Sequence, residues 1–173
     1  FADRYVEDAG EATLRWAVDT HVHADHVSGV RDVARATGAT AVLPAGANER
    51  GLAFEATLLA DGDELPVGET ALRAVHAPGH TSELVVLRLG SVLFSADALF
   101  LDGVGRPDLE AGADGAAALA RSLHATLRER LLALPDETLV APGHAAPERA
   151  MRGGPHAATL GSLRARLGLL GVD

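Results

Sequence analysis

The sequence predicts a single α/β domain in which helices and strands interleave and some strands pair as hairpins. Its 173 residues suit one domain. Turn residues recur at short intervals, so short apolar runs alternate with stretches of helical periodicity. Two of the apolar runs meet at Gly90-Ser91, a tight-turn dipeptide that speaks against a purely parallel sheet. No internal repeat, low-complexity tract or long linker divides the chain.

The elements follow in order. Leu14 to Val18 reads as a strand running into a polar His/Asp loop. Val27 to Thr37 reads as a helix, with Val27, Val30, Val33 and Ala34 on one face and Gly38 as its stop. Ala41 to Leu43 is a short strand ended by Pro44. Thr70 to His76, Leu84 to Leu89 and Ser91 to Ser95 have strand composition. Asp114 caps a long helix reaching about Leu134, with Leu119, Leu123, Leu127 and Leu131 spaced by four, and Pro135 ends it. Thr138 to Ala141 is a further strand, and Ala157 to Leu167 the last helix.

Composition narrows the chemistry. With 47% hydrophobic and 23% charged residues the chain is an ordinary globular one, and 3% aromatics leave the core to Leu, Val and Ala. No run nears the roughly 20 apolar residues of a membrane span, and no signal segment opens the chain, so a cytoplasmic protein without membrane partners is expected. The net charge of -9 argues against nucleic acid and anionic lipid as partners. All 15 basic residues are Arg, which removes Schiff-base and Walker-type lysine chemistry. The absence of Cys removes disulfides, thiolate metal sites and thiol nucleophiles. His, Asp, Glu, Ser, Arg and a metal remain.

Five of the eight His fall in polar loops directly after strand-like runs. The densest group is Thr20-His21-Val22-His23-Ala24-Asp25-His26. In an extended segment His21 and His23 point to one side, and Asp25 and His26 follow at the turn. Three imidazoles and a carboxylate so close together make a donor set for a first-row metal. Pro78-Gly79-His80, Ala96-Asp97 and Pro142-Gly143-His144 repeat the placement at strand ends, where α/β folds build their sites. Asp97 has two oxygens and can bridge two ions. His76, His124 and His156 read as packing or surface residues.

In these residues the sequence resembles the metallo-β-lactamase superfamily: His21-x-His23-x-Asp25-His26 is followed by His80, Asp97 and His144 in the family's order, and all seven ligand positions are filled. The resemblance implies an αββα sandwich with metal at one edge of two packed sheets. In binuclear members the positions of His21, His23 and His80 hold one ion, those of Asp25, His26 and His144 the other, and that of Asp97 bridges. The family places strands before the motif, which here arrives by residue 21. The N-terminal half of the sandwich is therefore expected to be incomplete and the chain truncated, with exposed sheet edges favouring a homodimer. Ala96 stands where the family has Gly.

The flanking segments His21 to Gly29 and Gly103-Val-Gly-Arg-Pro-Asp-Leu109 look like the persulfide dioxygenase branch, which includes glyoxalase II-like proteins. That likeness implies one Fe(II) on His21, His80 and Asp97, with His23, Asp25, His26 and His144 around it. It also implies oxidation of glutathione persulfide, or a similar thiol persulfide, to sulfite. Arg106 is the candidate partner of a substrate carboxylate, the competing reading being an ion pair with Asp102 or Asp108. The alternative is a thioester hydrolase of glyoxalase II type with two Zn(II), in which Asp25 positions or deprotonates water. A catalytically silent member is the third reading.

Overall fold

The computed structural model describes residues 2–23, 27–144 and 156–168. The smaller of two sheets consists of β1 (Trp16–Val18), β2 (Thr40–Pro44) and β3 (Thr57–Leu59), all parallel, in that order. The larger runs β4 (Glu64–Val67), β5 (Thr70–His76), β6 (Val85–Leu89), β7 (Val92–Ala96), β8 (Leu139–Pro142) and β9 (Ala158–Thr159). Only β7 and β8 are parallel within it. Four α-helices are described: α1 (Ala2–Ala9), α2 (Val30–Thr37), α3 (Asp108–Ala125) and α4 (Leu160–Arg166).

The burial pattern stacks these into four layers. On β2 the side chains alternate between two cores: Ala41 and Leu43 pack with Val30 and Val33 of α2, whereas Val42 faces the larger sheet. There Val42 and Leu59 meet Leu65, Ala74, Val85 and Leu87, the inner face of β4 to β6. The opposite face of the larger sheet, through Val86, Leu93 and Val140, packs on Leu123, Leu127 and Leu131 and on Leu160 and Leu163 of α4. The order is helix, sheet, sheet, helix, which is the expected αββα sandwich. The smaller sheet has three strands and covers β4 to β6, so Phe94 and Leu139, on the same face further along, are each 39% exposed.

Several expected boundaries move. Val27 is 90% exposed and precedes the helix, which starts at Val30 because the Ser28 hydroxyl accepts the Val30 N–H. Gly38 closes α2 at φ +75 as anticipated. Pro44 is the last paired residue of β2, opposite Leu59, and does not lie beyond it. The long helix begins at Asp108, not Asp114, and Gly112 (φ +58, ψ -165) breaks it, so Asp114 lies just past the break. The leucine stripe then continues through a π-helical turn, Thr126–Leu131. The final helix starts at Leu160, where the Thr159 hydroxyl caps it, since Ala158–Thr159 pairs with β8. The hairpin at Gly90 forms as expected, Leu89 opposite Val92. Helix α1, strands β3 and β4 and the 3-10 helix Ala45–Arg50 lie where no element was expected. Strand β3 is three residues long and β4 contains Pro66, so neither carries a readable apolar period. Helix α1 does space Ala2, Tyr5, Val6 and Ala9 at helical intervals, but over only eight residues, none of them buried. No helix among the described residues is long and apolar enough to cross a membrane.

Candidate metal centre

Topology brings the candidate ligands together. Strands β5, β7 and β8 run the same way, since β6 is antiparallel to both β5 and β7, so their carboxyl ends share one sheet edge. His80 follows β5, Asp97 directly follows β7 and His144 follows β8, while the loop after β1 brings His21 and His23 from the smaller sheet. A hydrogen bond from the Val85 amide to the Thr20 carbonyl (2.9 Å) fixes that loop to the start of β6.

One nitrogen of each of His21, His23 and His80 lies within 4.8 Å of the others. His80 Nε2 stands 2.9 Å from His23 Nδ1. Asp97, 5% exposed, faces this group with one oxygen and His144 with the other: Oδ2 lies 3.5 Å from His80 Nε2 and 3.8 Å from His21 Nε2, and Oδ1 accepts His144 Nδ1–H at 2.8 Å. Donor atoms around a single ion bound at about 2.1 Å stand roughly 3–3.5 Å apart. The set is all imidazole and carboxylate, so its spacing and chemistry both fit a first-row divalent ion. Asp25 and His26 lie outside the described residues.

Protonation is arranged to match. The His80 Nδ1–H donates to the Arg106 carbonyl (3.0 Å), which assigns the proton to Nδ1 and leaves the Nε2 lone pair facing His23 and Asp97. The Thr20 hydroxyl sits 3.0 Å from His21 Nδ1, leaving His21 Nε2 toward Asp97. Burial, reinforced by His80 and His23 and opposed by Asp97 and Glu83, pulls the His21 imidazole down to about 4. It is therefore neutral, as a ligand must be, near pH 7.

The structure also shows what the sequence reading missed. Arg106 meets His80 through its backbone carbonyl, while its exposed guanidinium donates twice to Asp108, at 3.1 and 2.5 Å, one of the two ion pairs weighed for it. Gly105 and Gly143 touch Asp97 so closely that no side chain fits: a Cβ on Gly105 would stand 2.0 Å from the Asp97 carbonyl oxygen, and one on Gly143 2.7 Å from Asp97 Oδ1. Glu83 is buried among the His loops. Burial pushes its carboxyl up, and hydrogen bonds from Arg50 and from the Val22 amide outweigh this and hold it below the usual glutamate value. Gly105 meets Asp97 eight residues before it, whereas the partners of Gly143, Glu83 and the Arg106 carbonyl are tens of residues away, where no local pattern announces them. His76 is no ligand: its Nε2 pairs with the Ser82 carbonyl at 2.9 Å.

Ala96 holds φ +46 at a register shift between β7 and β8, buried beside Asp97. A left-handed alanine costs about 1–2 kcal/mol. Glycine would relieve this, but it loses the buried methyl group, about 0.8 kcal/mol, and gains unfolded-state freedom, about 0.4–1 kcal/mol. Ala96→Gly should thus unfold within about 1 kcal/mol of the unmodified chain. Ala96→Val, β-branched at positive φ, should be the less stable by about 2 kcal/mol or more. Denaturant melts of the two variants check the ordering, and equal midpoints would contradict it.

Residues 3–144 match the metallo-beta-lactamase superfamily. The human mitochondrial persulfide dioxygenase ETHE1 is 34% identical over 144 residues, covering 76% of this chain and 49% of that protein. A hydroxyacylglutathione hydrolase of Polaromonas sp. is 38% identical over 131 residues, covering 73% and 47%. The crystal structure of ETHE1 from Myxococcus xanthus superposes with a TM-score of 0.80 at 30% identity, covering 99% of this chain and 70% of that one. The chain spans about half the length of the curated relatives it matches. Matched over most of its length and folded as an αββα sandwich with imidazoles and a carboxylate gathered at one sheet edge, the chain belongs to the metallo-beta-lactamase superfamily.

Proposed function

We propose that the chain is a persulfide dioxygenase, with one Fe(II) held by His21, His80 and Asp97 and with His23, Asp25, His26 and His144 around it. The observation that carries this is the approach of one Asp97 oxygen to His80 Nε2 and His21 Nε2, a set of two imidazoles and one carboxylate of the kind non-haem Fe(II) oxygenases use. The likeness to proteins named persulfide dioxygenase supports it. When bound, iron supplies the O₂ chemistry that no side chain of this set can provide. The overall change is persulfide plus O₂ plus water giving thiol plus sulfurous acid, which ionises to sulfite.

The chain's own residues bind and orient. The Arg106 carbonyl keeps His80 in one tautomer, and the neutral His21 presents a lone pair at neutral pH. Asp108 takes two of the five N–H donors of Arg106, and the remainder of the fork is proposed to receive a substrate carboxylate. A pocket of about 370 Å³ reaches from His21 and His23 to Arg31 and Phe54, and the body of the thiol is proposed to lie there.

One observation favours a second reading. The other oxygen of Asp97 lies 2.8 Å from His144 Nδ1, so with that nitrogen deprotonated the pair could share a second ion, and a hydroxyacylglutathione hydrolase is among the relatives. A thioester hydrolase with two Zn(II) and Asp25 at the attacking water would use the same residues. Elemental analysis of anaerobically purified protein separates the two. About one iron per chain, with oxygen uptake on adding glutathione persulfide, supports the dioxygenase. Two zinc ions and thioester cleavage support the hydrolase, and a metal-free, inert chain points to a silent member. His144→Ala adds an independent test: a loss of no more than about 10- to 100-fold is expected of the dioxygenase, where His144 acts through Asp97, and a loss well beyond that range of the hydrolase, where it is a ligand.

A further inference from the structure

We propose that Glu83 is a positioning residue of the metal centre, holding the peptide between His21 and His23 in place through the Val22 amide, with Arg50 clasping Glu83 to Glu110. The proposal rests on the reading above, in which His21 and His80 are metal ligands.

The Glu83 side chain is 3% exposed. Its Oε1 accepts the Val22 N–H at 2.9 Å, across 61 positions of sequence, and its Oε2 accepts Arg50 Nη2 at 2.5 Å. Arg50 is also paired with Glu110, whose Oε2 accepts the Ser82 N–H at 2.7 Å. Peptide planarity makes the Val22 contact consequential. Fixing that N–H fixes the plane joining the His21 and Val22 Cα atoms, and with it the direction in which His21 leaves the chain. The Thr20 carbonyl is already tied to the Val85 amide, so His21 is bracketed on both sides by bonds to the segment that also carries His80. The backbone is shaped to admit the carboxylate's stem: a Cβ on Gly46 would lie 2.5 Å from the Glu83 Cβ, so the 3-10 helix approaches Glu83 where only glycine fits.

A buried ion pair is a weak device for stability alone, because desolvation offsets much of its attraction. What Glu83 supplies that an apolar residue cannot is an acceptor aimed at one particular amide. It links the loop carrying His21 and His23 to the loop carrying His80, and so sets the distance between the donors.

The test measures zinc dissociation constants by competition with a chromophoric chelator, well below the melting temperature, alongside melting of EDTA-treated protein. Glu83→Ala should weaken zinc binding about 10- to 100-fold, the range for groups that orient metal ligands. Glu83→Gln keeps an acceptor for Val22 and should recover most of that affinity, even though it loses the charge opposite Arg50. Arg50→Met frees the carboxylate to turn away and should fall between them. If Glu83→Ala does not fold, the order of Glu83→Gln and Arg50→Met still decides. Lowered melting temperatures with unchanged zinc affinity in the folded variants would assign Glu83 to stability alone and overturn the proposal. An unmodified chain that binds no zinc, cobalt or iron would instead overturn the metal-centre reading on which it rests.

Discussion

Asp97→Ala should leave the purified chain with little bound metal and no measurable turnover. Asp97 is the one described side chain that touches both halves of the centre, meeting His21 and His80 with one oxygen and His144 with the other. Removing a group that merely orients a ligand costs about 10- to 100-fold in metal affinity, so removing this carboxylate should exceed the upper figure. His80→Ala should match it, since His80 contacts both His23 and Asp97 and has its proton placed by the Arg106 carbonyl. Asp97→Asn separates charge from shape: it fills the same space and keeps an acceptor, yet cannot offset a divalent charge, and should fail nearly as badly. Metal content and oxygen uptake, measured on variants with the circular dichroism of the unmodified chain, check this. Near-full occupancy in Asp97→Asn would show that the carboxylate is a hydrogen-bond partner and not a ligand.

Gly105→Ala should cost more stability than its single methyl group suggests. The new Cβ would sit 2.0 Å from the Asp97 carbonyl oxygen and 2.9 Å from the His80 Cβ. The first of these is backbone, which cannot swing aside as a side-chain tip can. Overpacking in a tight site commonly costs 1–3 kcal/mol, and the absence of a yielding neighbour places this substitution at about 3 kcal/mol or above. For a chain of this size that is a fall of roughly 10 °C in melting temperature. Gly103→Ala, two residues earlier with nothing within 4 Å of its Cβ position, is the matched control and should melt near the unmodified chain. Equal melting of the two would mean that the Gly105 loop moves freely away from Asp97.

The residues that could be read in the sequence were those whose meaning is local. His21 and His23 alternate along an extended segment, and Leu123, Leu127 and Leu131 repeat at a helical interval, so each pattern announces its own geometry. His80, Asp97 and His144 were legible as residues at strand ends, and the fold does gather them at one edge. What stayed hidden was set by distant partners. Glu83 follows the Gly-His-Thr-Ser turn as an ordinary polar residue, and nothing near it in sequence says that its acceptor meets the Val22 amide. Arg106 was singled out for its guanidinium, whereas its contact to His80 is made by a carbonyl that every residue possesses. Strands β3 and β4 escaped because three- and four-residue strands are too short to show a period, and Asp114 misled because Gly112 interrupts the helix before it.

The separation of the candidate ligands along the chain sets when a centre built from them could exist during folding. His23 meets His80 across 57 residues, and Asp97 meets His144 across 47. Loops of that size close late, since their entropic cost falls due before the contacts return anything. An ion offered to the unfolded chain finds His21 and His23 close together and little else, a weak bidentate site. The remaining donors reach it only after the smaller sheet has docked on β4 to β6 and β8 has aligned with β7. On the proposed ligand set, metal would therefore enter a scaffold already committed to its topology, as a lock on the finished arrangement and not as a template for the search.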